Sequence, residues 1–122
     1  MKSKENNIIV AKSYDFSLKC VNLHKYLCDN YHEYHIGLQL MRSGTSIGAN
    51  VREAIRGYSK SDFTAKMGIA LKEANETGKW LEILLKSDYI DKATYKSIDK
   101  TCATIRILLI ASIKTVKSNL NK

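Results

Sequence analysis

No proline occurs anywhere in the 122 residues, and only 6 are glycine. That absence constrains the fold more than any other feature, because proline removes a backbone donor and jams a helical turn. Without it the chain is free to run in long helices. Four segments carry the apolar periodicity of helices with one buried face. From about Ile8 to about Cys28, the residues Ile9, Phe16, Cys20, Leu23 and Leu27 are spaced by 7, 4, 3 and 4. A second segment begins near Asn30, which with Glu33 forms a candidate capping box. Its stripe is Ile36, Leu40, Ile47, Val51 and Ile55, and Gly57 is its expected stop.

The third segment starts at Ser59 or Ser61, where a hydroxyl can accept an orphan N–H, and Asp62 adds a favourable first-turn charge. Its inner face is Phe63, Met67, Ala70, Ala74, Leu81, Leu84 and Leu85. The fourth is capped by Asp91, with the stripe Ile98, Cys102, Ile105, Leu109, Ser112 and Val116. Short links between long helices force antiparallel neighbours. The expected fold is therefore all-α, a single antiparallel up-down-up-down four-helix bundle over residues 1–122, with residues 1–7 as a flexible polar lead-in.

The fourth segment carries more apolar residues than one stripe needs. Ile105, Ile107, Leu108, Leu109, Ile110, Ala111 and Ile113 point all round a helix. Apolar residues on the outer side imply a second buried surface, hence self-association. The alternative is that the first and third helices cover a wide arc of the fourth. Ile107 and Ile110 are the expected interface residues.

Charge is uneven. The chain carries 20 Lys and Arg against 12 Asp and Glu, a formal +8. After Asp99 there is no acid, while Lys100, Arg106, Lys114, Lys117 and Lys122 follow. Such an excess favours an anionic partner, commonly nucleic acid; it also suits a solvated, solubilising face. Lys92, Lys96 and Lys100 share one helix face, and Lys114 and Lys117 extend it. These five are the candidate phosphate contacts.

Other chemistry finds little support. Cys20, Cys28 and Cys102 are widely spaced, with no C-x-x-C, and suit reduced thiols in a cytoplasmic protein. The run Ile105 to Ile113 is too short and too polar to span a bilayer, so no membrane association is expected. His24, His32 and His35 gather near one turn beside Asp29 and Glu33, but fall short of the ligand set of a metal site. Glu53, Glu73, Glu76 and Glu82 read as surface or structural carboxylates, with Lys72–Glu76 as one helix pair. No nucleophile, base and metal converge, so no catalytic residue, no metal and no cofactor is assigned.

The second helix carries a polar line of Gln39, Arg42, Ser43, Ser46, Asn50 and Glu53. Ser46, Asn50 and Glu53 fall at i, i+4 and i+7, and small polar residues let a neighbouring helix approach and bond. The line is expected to be structural, satisfied against that neighbour. Gly44 and Gly48 within it permit close packing.

The stretch from Leu38 to Glu53 resembles the pattern Q-x-x-R-[AS]-x-x-S-I-x-x-N-x-x-E of a bacterial family. Its members are the four-helix-bundle proteins of 23S rRNA intervening sequences. Gln39, Arg42, Ser43, Ser46, Ile47, Asn50 and Glu53 all fit in register, and Ser61-Asp62-Phe63, Ile69-Ala70, Glu76 and Tyr89-Ile90 continue the likeness. It departs in lacking a Phe-Pro pair before the second helix, in Ala54, and in Lys72-Glu73. The resemblance implies a compact bundle forming a homo-oligomeric ring, a pentamer. It is also similar to the accessory variability proteins of diversity-generating retroelements, which implies RNA or DNA and a reverse transcriptase as partners. The reading is a non-enzymatic, ring-forming bundle that scaffolds or binds nucleic acid, with a protein-interaction module as the alternative.

Overall fold

The computed structural model describes residues 4–120, which form four long helices: α1 (Lys4–Tyr31), α2 (Ile36–Ile55), α3 (Lys60–Lys86) and α4 (Lys92–Leu120). Each helix packs on its two chain neighbours, and α4 returns to touch α1. The diagonal pairs do not approach, which defines an up-down-up-down bundle. The α4–α1 seam is the sparsest of the four contacts.

The stripes face inward as the spacing requires. Ile9, Phe16, Cys20 and Leu27 of α1, Leu40, Ile47 and Val51 of α2, and Cys102, Ile105 and Leu109 of α4 are fully buried. Phe63, Met67, Ala70, Ala74, Leu81 and Leu84 complete the core from α3. Ile55, Leu85, Ile98 and Val116 are only partly covered and pack on its edges. On α2 the inward face turns to include Ala54 rather than Ile55. Each large side chain buried here contributes roughly 1.5–3 kcal/mol.

Two boundaries differ from expectation. Residues 4–7, expected as part of a flexible lead-in, form the first turn of α1, and residues 1–3 lie outside the described residues. Nothing stops α1 at Cys28 either. It runs to Tyr31 and ends where His32 takes a left-handed φ of 53°. Asn30 is thus in the last turn of α1, where its amide donates to Tyr26 O, and it does not open α2.

The α2 terminus is capped by Glu33 instead. Its carboxylate accepts from the backbone N–H of His35 at 2.7 Å, and from those of Ile36 and Gly37. A carboxylate so placed satisfies orphan donors and offsets the positive end of the helix dipole. The N-caps of α3 and α4 are as read: Ser59 accepts from Asp62 N at 3.0 Å, and Asp91 from Thr94 N at 2.7 Å; the C-cap of α2 is Arg56 rather than Gly57, and no glycine takes a left-handed φ among the described residues. The amide bond to Asp91 holds its carboxyl below the usual range.

The α1–α2 seam closes on glycine. A Cβ at Gly37 would sit 2.9 Å from the His24 ring, and one at Gly44 would collide with Cys20. At the α2–α3 seam the hydroxyls of Ser43 and Thr77 meet at 2.8 Å. Thr77 was not anticipated in the core. Its burial is allowed because its hydroxyl also reaches Glu73 O, so no donor is stranded.

Candidate self-association and nucleic-acid interface

Of the apolar residues expected on the outside of α4, Leu108 and Ile113 turn inward and pack on the core. The outer set narrows to Ile107 and Ile110, with the small Ala111 beside them. Ile107 is 67% exposed, the most exposed large aliphatic side chain among the described residues, and Ile110 is 40% exposed.

All five candidate lysines are exposed. They do not form one compact patch. Along an unbroken helix, Lys92 and Lys117 are about 38 Å apart at 1.5 Å per residue. Lysines and isoleucines nevertheless share a face. Lys100, Ile107 and Lys114 are spaced by seven, as are Ile110 and Lys117, and a seven-residue step returns a helix to nearly the same side. What the sequence presented as two surfaces is one stripe on α4, with apolar centre and basic ends.

The antiparallel topology joins the far end of that stripe to other cations. The C-terminal half of α4 lies at the end of the bundle where α1 begins and α2 passes to α3. Lys4, Lys12, Arg52, Arg56 and Lys60 are exposed at that same end of the bundle, spread over α1, α2 and the start of α3. Arg52 also lies over the Tyr14 ring, 5.4 Å from its centroid. Asp15, Glu53 and Asp62 are acids exposed in the same half of the bundle, and Lys66 reaches Glu53 only at 4.0 Å. Sequence reading missed Arg52, Arg56 and Lys60, because topology alone brings them to the end of the bundle where α4 finishes. Lys92, Lys96 and Lys100 occupy the other half, among Asp88, Asp91 and Asp99.

The α2 polar line is mostly not a buried helix contact. Only Ser43 is buried. Gln39, Arg42 and Glu53 are exposed, while Ser46 and Asn50 are half-covered. Ser46 donates to Arg42 O and Asn50 to Ser46 O, both within α2. The physical reason is angular: Ser43 faces α3, whereas the line drifts outward from it along the helix.

His24 rests beside Cys28 on α1, with Sγ 3.8 Å from its ring nitrogens, and His32 meets the Tyr34 hydroxyl at 3.1 Å. No group of three or more His, Cys, Asp or Glu able to hold a metal occurs among the described residues. Burial pushes the Cys20 thiol up to about 12 and that of Cys102 up to about 11, which suppresses the reactive thiolate. Glu76 pairs with Lys79 at 4.0 Å rather than with Lys72. Trp80 is half-buried against the core, with the Lys79 ammonium 5.1 Å from its ring. No described helix is long and apolar enough to cross a membrane.

Fold and surface together define a small four-helix bundle with its core satisfied and one basic-apolar stripe exposed. The family model described as 23S rRNA-intervening sequence protein matches residues 5–111, and the chain belongs to that family. It is also similar to a solved protein of unknown function from the S23 ribosomal protein family of Bacteroides thetaiotaomicron. The TM-score is 0.89 and the identity 46%, over 90% of this chain and 98% of that one. No curated protein matches it.

Proposed function

We propose that this protein is a non-enzymatic bundle that associates with copies of itself through Ile107 and Ile110 and binds nucleic acid through the cations that flank them. The exposed isoleucine pair, bracketed by lysines on one face of α4, carries the reading. A monomer leaves both side chains partly in water, and covering them recovers roughly 1–2 kcal/mol for Ile107 and roughly 0.6–1.2 kcal/mol for Ile110, the exposed fraction of a full burial. Assembly would repeat the basic ends around an oligomer, a closed ring of five in the arrangement the family likeness implies. Repeated cations then neutralise phosphates and release counterions, without reading base sequence.

The test has two arms. Sedimentation should place the protein well above its 13.8 kDa monomer, and Ile107→Glu should return it to monomer with helicity intact. Binding to a generic duplex and a single strand should weaken steeply with salt. Replacing Lys96, Lys100, Lys114 and Lys117 with Gln should weaken it on every sequence alike and flatten the salt slope. A wild-type monomer at micromolar concentration refutes the first arm. Absence of binding at low salt refutes the second and leaves the exposed isoleucines to a protein partner.

A further inference from the structure

The opposite end of the bundle has a different character. There the end of α1 meets the α3–α4 turn around an open cavity of about 520 Å³, lined by Leu23, Tyr26, Tyr31, Asp88, Tyr89, Ile90, Asp91 and Thr94. Three tyrosines wall it at large mutual angles. Tyr26 and Tyr31 have centroids 6.0 Å apart with planes at 64°, and Tyr31 and Tyr89 are 5.4 Å apart at 89°. Tyr26 and Tyr31 stand 46% and 45% exposed. Leu23 and Ile90 form the floor, since both are nearly buried.

The lining of this cavity holds two acids and no lysine or arginine, in a chain that is +8 overall. Asp88 and Asp91 line it. The two helices that end here, α1 and α3, direct their negative poles toward it. No basic residue occupies the last turn of α1, and Lys86 in the last turn of α3 is engaged with Glu82 at 2.9 Å. The two helices that start here bring positive poles, but each already meets a carboxylate, Glu33 on α2 and Asp91 on α4. Lys92 is the exposed cation next in the chain. The Tyr26 phenol is held above its ordinary value, first by the neighbouring Tyr31 phenol, then by partial burial, and least by Asp91.

Asp88 reaches this place by an unusual backbone. It takes φ 65° at the end of α3, with Tyr89 N bonded to Leu84 O and Asp88 N to Leu85 O. That is a Schellman turn whose left-handed position normally holds glycine or asparagine.

We propose that this pocket binds an alkylammonium cation, its charge set against the tyrosine rings and the carboxylates of Asp88 and Asp91, and its alkyl part on Leu23 and Ile90. Ring quadrupoles attract a cation within about 6 Å of the centroid, and aromatic walls are the recurrent receptor for such groups. The volume suits one small ligand. The same chemistry is offered by a free amine and by a lysine side chain of another protein.

The experiment follows Leu23 and Ile90 methyl and tyrosine ring resonances by NMR on the full chain. The probes are choline, its uncharged isostere with carbon in place of nitrogen, and Nα-acetyl-lysine methylamide. A saturable shift with either cation, in the millimolar range, and none with the isostere supports the site. A stronger response to choline assigns a free small ammonium cation, and a stronger one to the lysine amide assigns a protein side chain. Equal response to cation and isostere, or none to any probe, overturns the proposal. Asp88→Asn combined with Asp91→Asn should weaken cation binding roughly tenfold, since two charges leave the site. The fold should survive, because asparagine suits both the left-handed position and the N-cap. Undiminished affinity in that folded variant overturns the assignment of the carboxylates, and with it the site. Tyr31→Leu, which keeps apolar bulk but removes the ring, should weaken the cation and not the isostere.

Discussion

Gly44→Ala should destabilise the bundle, although the same substitution ordinarily stabilises a helix. Two terms compete. Alanine lowers the conformational cost of a helical position by about 1 kcal/mol relative to glycine. Against that, a Cβ at position 44 would collide with Cys20 Sγ and lie 2.9 Å from Cys20 Cβ. The thiol can rotate, but a Cβ moves only with its backbone, so α1 and α2 must separate. Overpacking of that kind costs typically 1–3 kcal/mol, and the contact with a Cβ fixed to its backbone places Gly44 at the upper end. The net expectation is a loss of about 2 kcal/mol.

Gly68 supplies the internal control. It lies within α3, and a Cβ there meets nothing within 4 Å, so Gly68→Ala should stabilise by about 1 kcal/mol. Urea unfolding followed by far-UV circular dichroism, with slopes compared to check that the transition stays two-state, measures both. Opposite signs are the expected result. If Gly44→Ala matches or exceeds wild type, the seam is looser than described and close approach does not explain the glycine.

Two further outcomes follow from side-chain environments. Asn50→Leu and Glu53→Ala should each change stability by no more than about 0.5 kcal/mol in thermal melts, because neither makes a buried contact with another helix; a loss of several times that would mean the α2 line is covered after all. The buried thiols make stability fall in alkali. Their folded values lie above the ordinary 9.0, so their contribution is complete below pH 9 and is lost as pH rises toward the folded values. The slope is up to about 1.4 kcal/mol per thiol per pH unit. Cys20→Ala should flatten the fall of melting temperature between neutral pH and pH 10, and an unchanged slope would assign it to other groups.

The helical stripes were legible because burial on one face imposes a 3.6-residue period on sequence. Ser59 and Asp91 were legible as caps because each bonds within three residues of itself. The start of α2 was not. Neither glycine nor proline marks the end of α1, the left-handed break falls on His32, and the capping group is Glu33, which read locally as the partner of Asn30. The α4 stripe was present as a spacing of seven, yet Lys100, Ile107 and Lys114 were sorted by chemistry rather than by angle. The tyrosine pocket was beyond sequence reading altogether, since Tyr89 comes 58 residues after Tyr31 and meets it only through the antiparallel return of α3.

The α4 stripe also constrains how copies can meet. Suppose two α4 helices pair antiparallel about a two-fold axis with Ile107 on Ile110. Residue numbers then sum to 217 at facing positions, so Lys100 of each copy faces Lys117 of the other. A parallel pairing in register sets Lys100 on Lys100 and Lys117 on Lys117. Either self-pairing aligns like charges, which costs about 0.5 kcal/mol per exposed pair. A heterologous contact, in which the α4 stripe meets a different face of the next copy, avoids this, and such contacts close into rings when the rotation permits. Antiparallel self-pairing and heterologous contact respond differently to Lys117→Glu. Under antiparallel self-pairing it turns two repulsions into two attractions, a swing of about 2 kcal/mol that should tighten assembly by more than tenfold. Under heterologous contact no lysine is relieved, and assembly should weaken or stay unchanged. Sedimentation of wild type and variant across a concentration series distinguishes them. Tightening in the variant would refute the ring geometry and leave a two-fold dimer in its place.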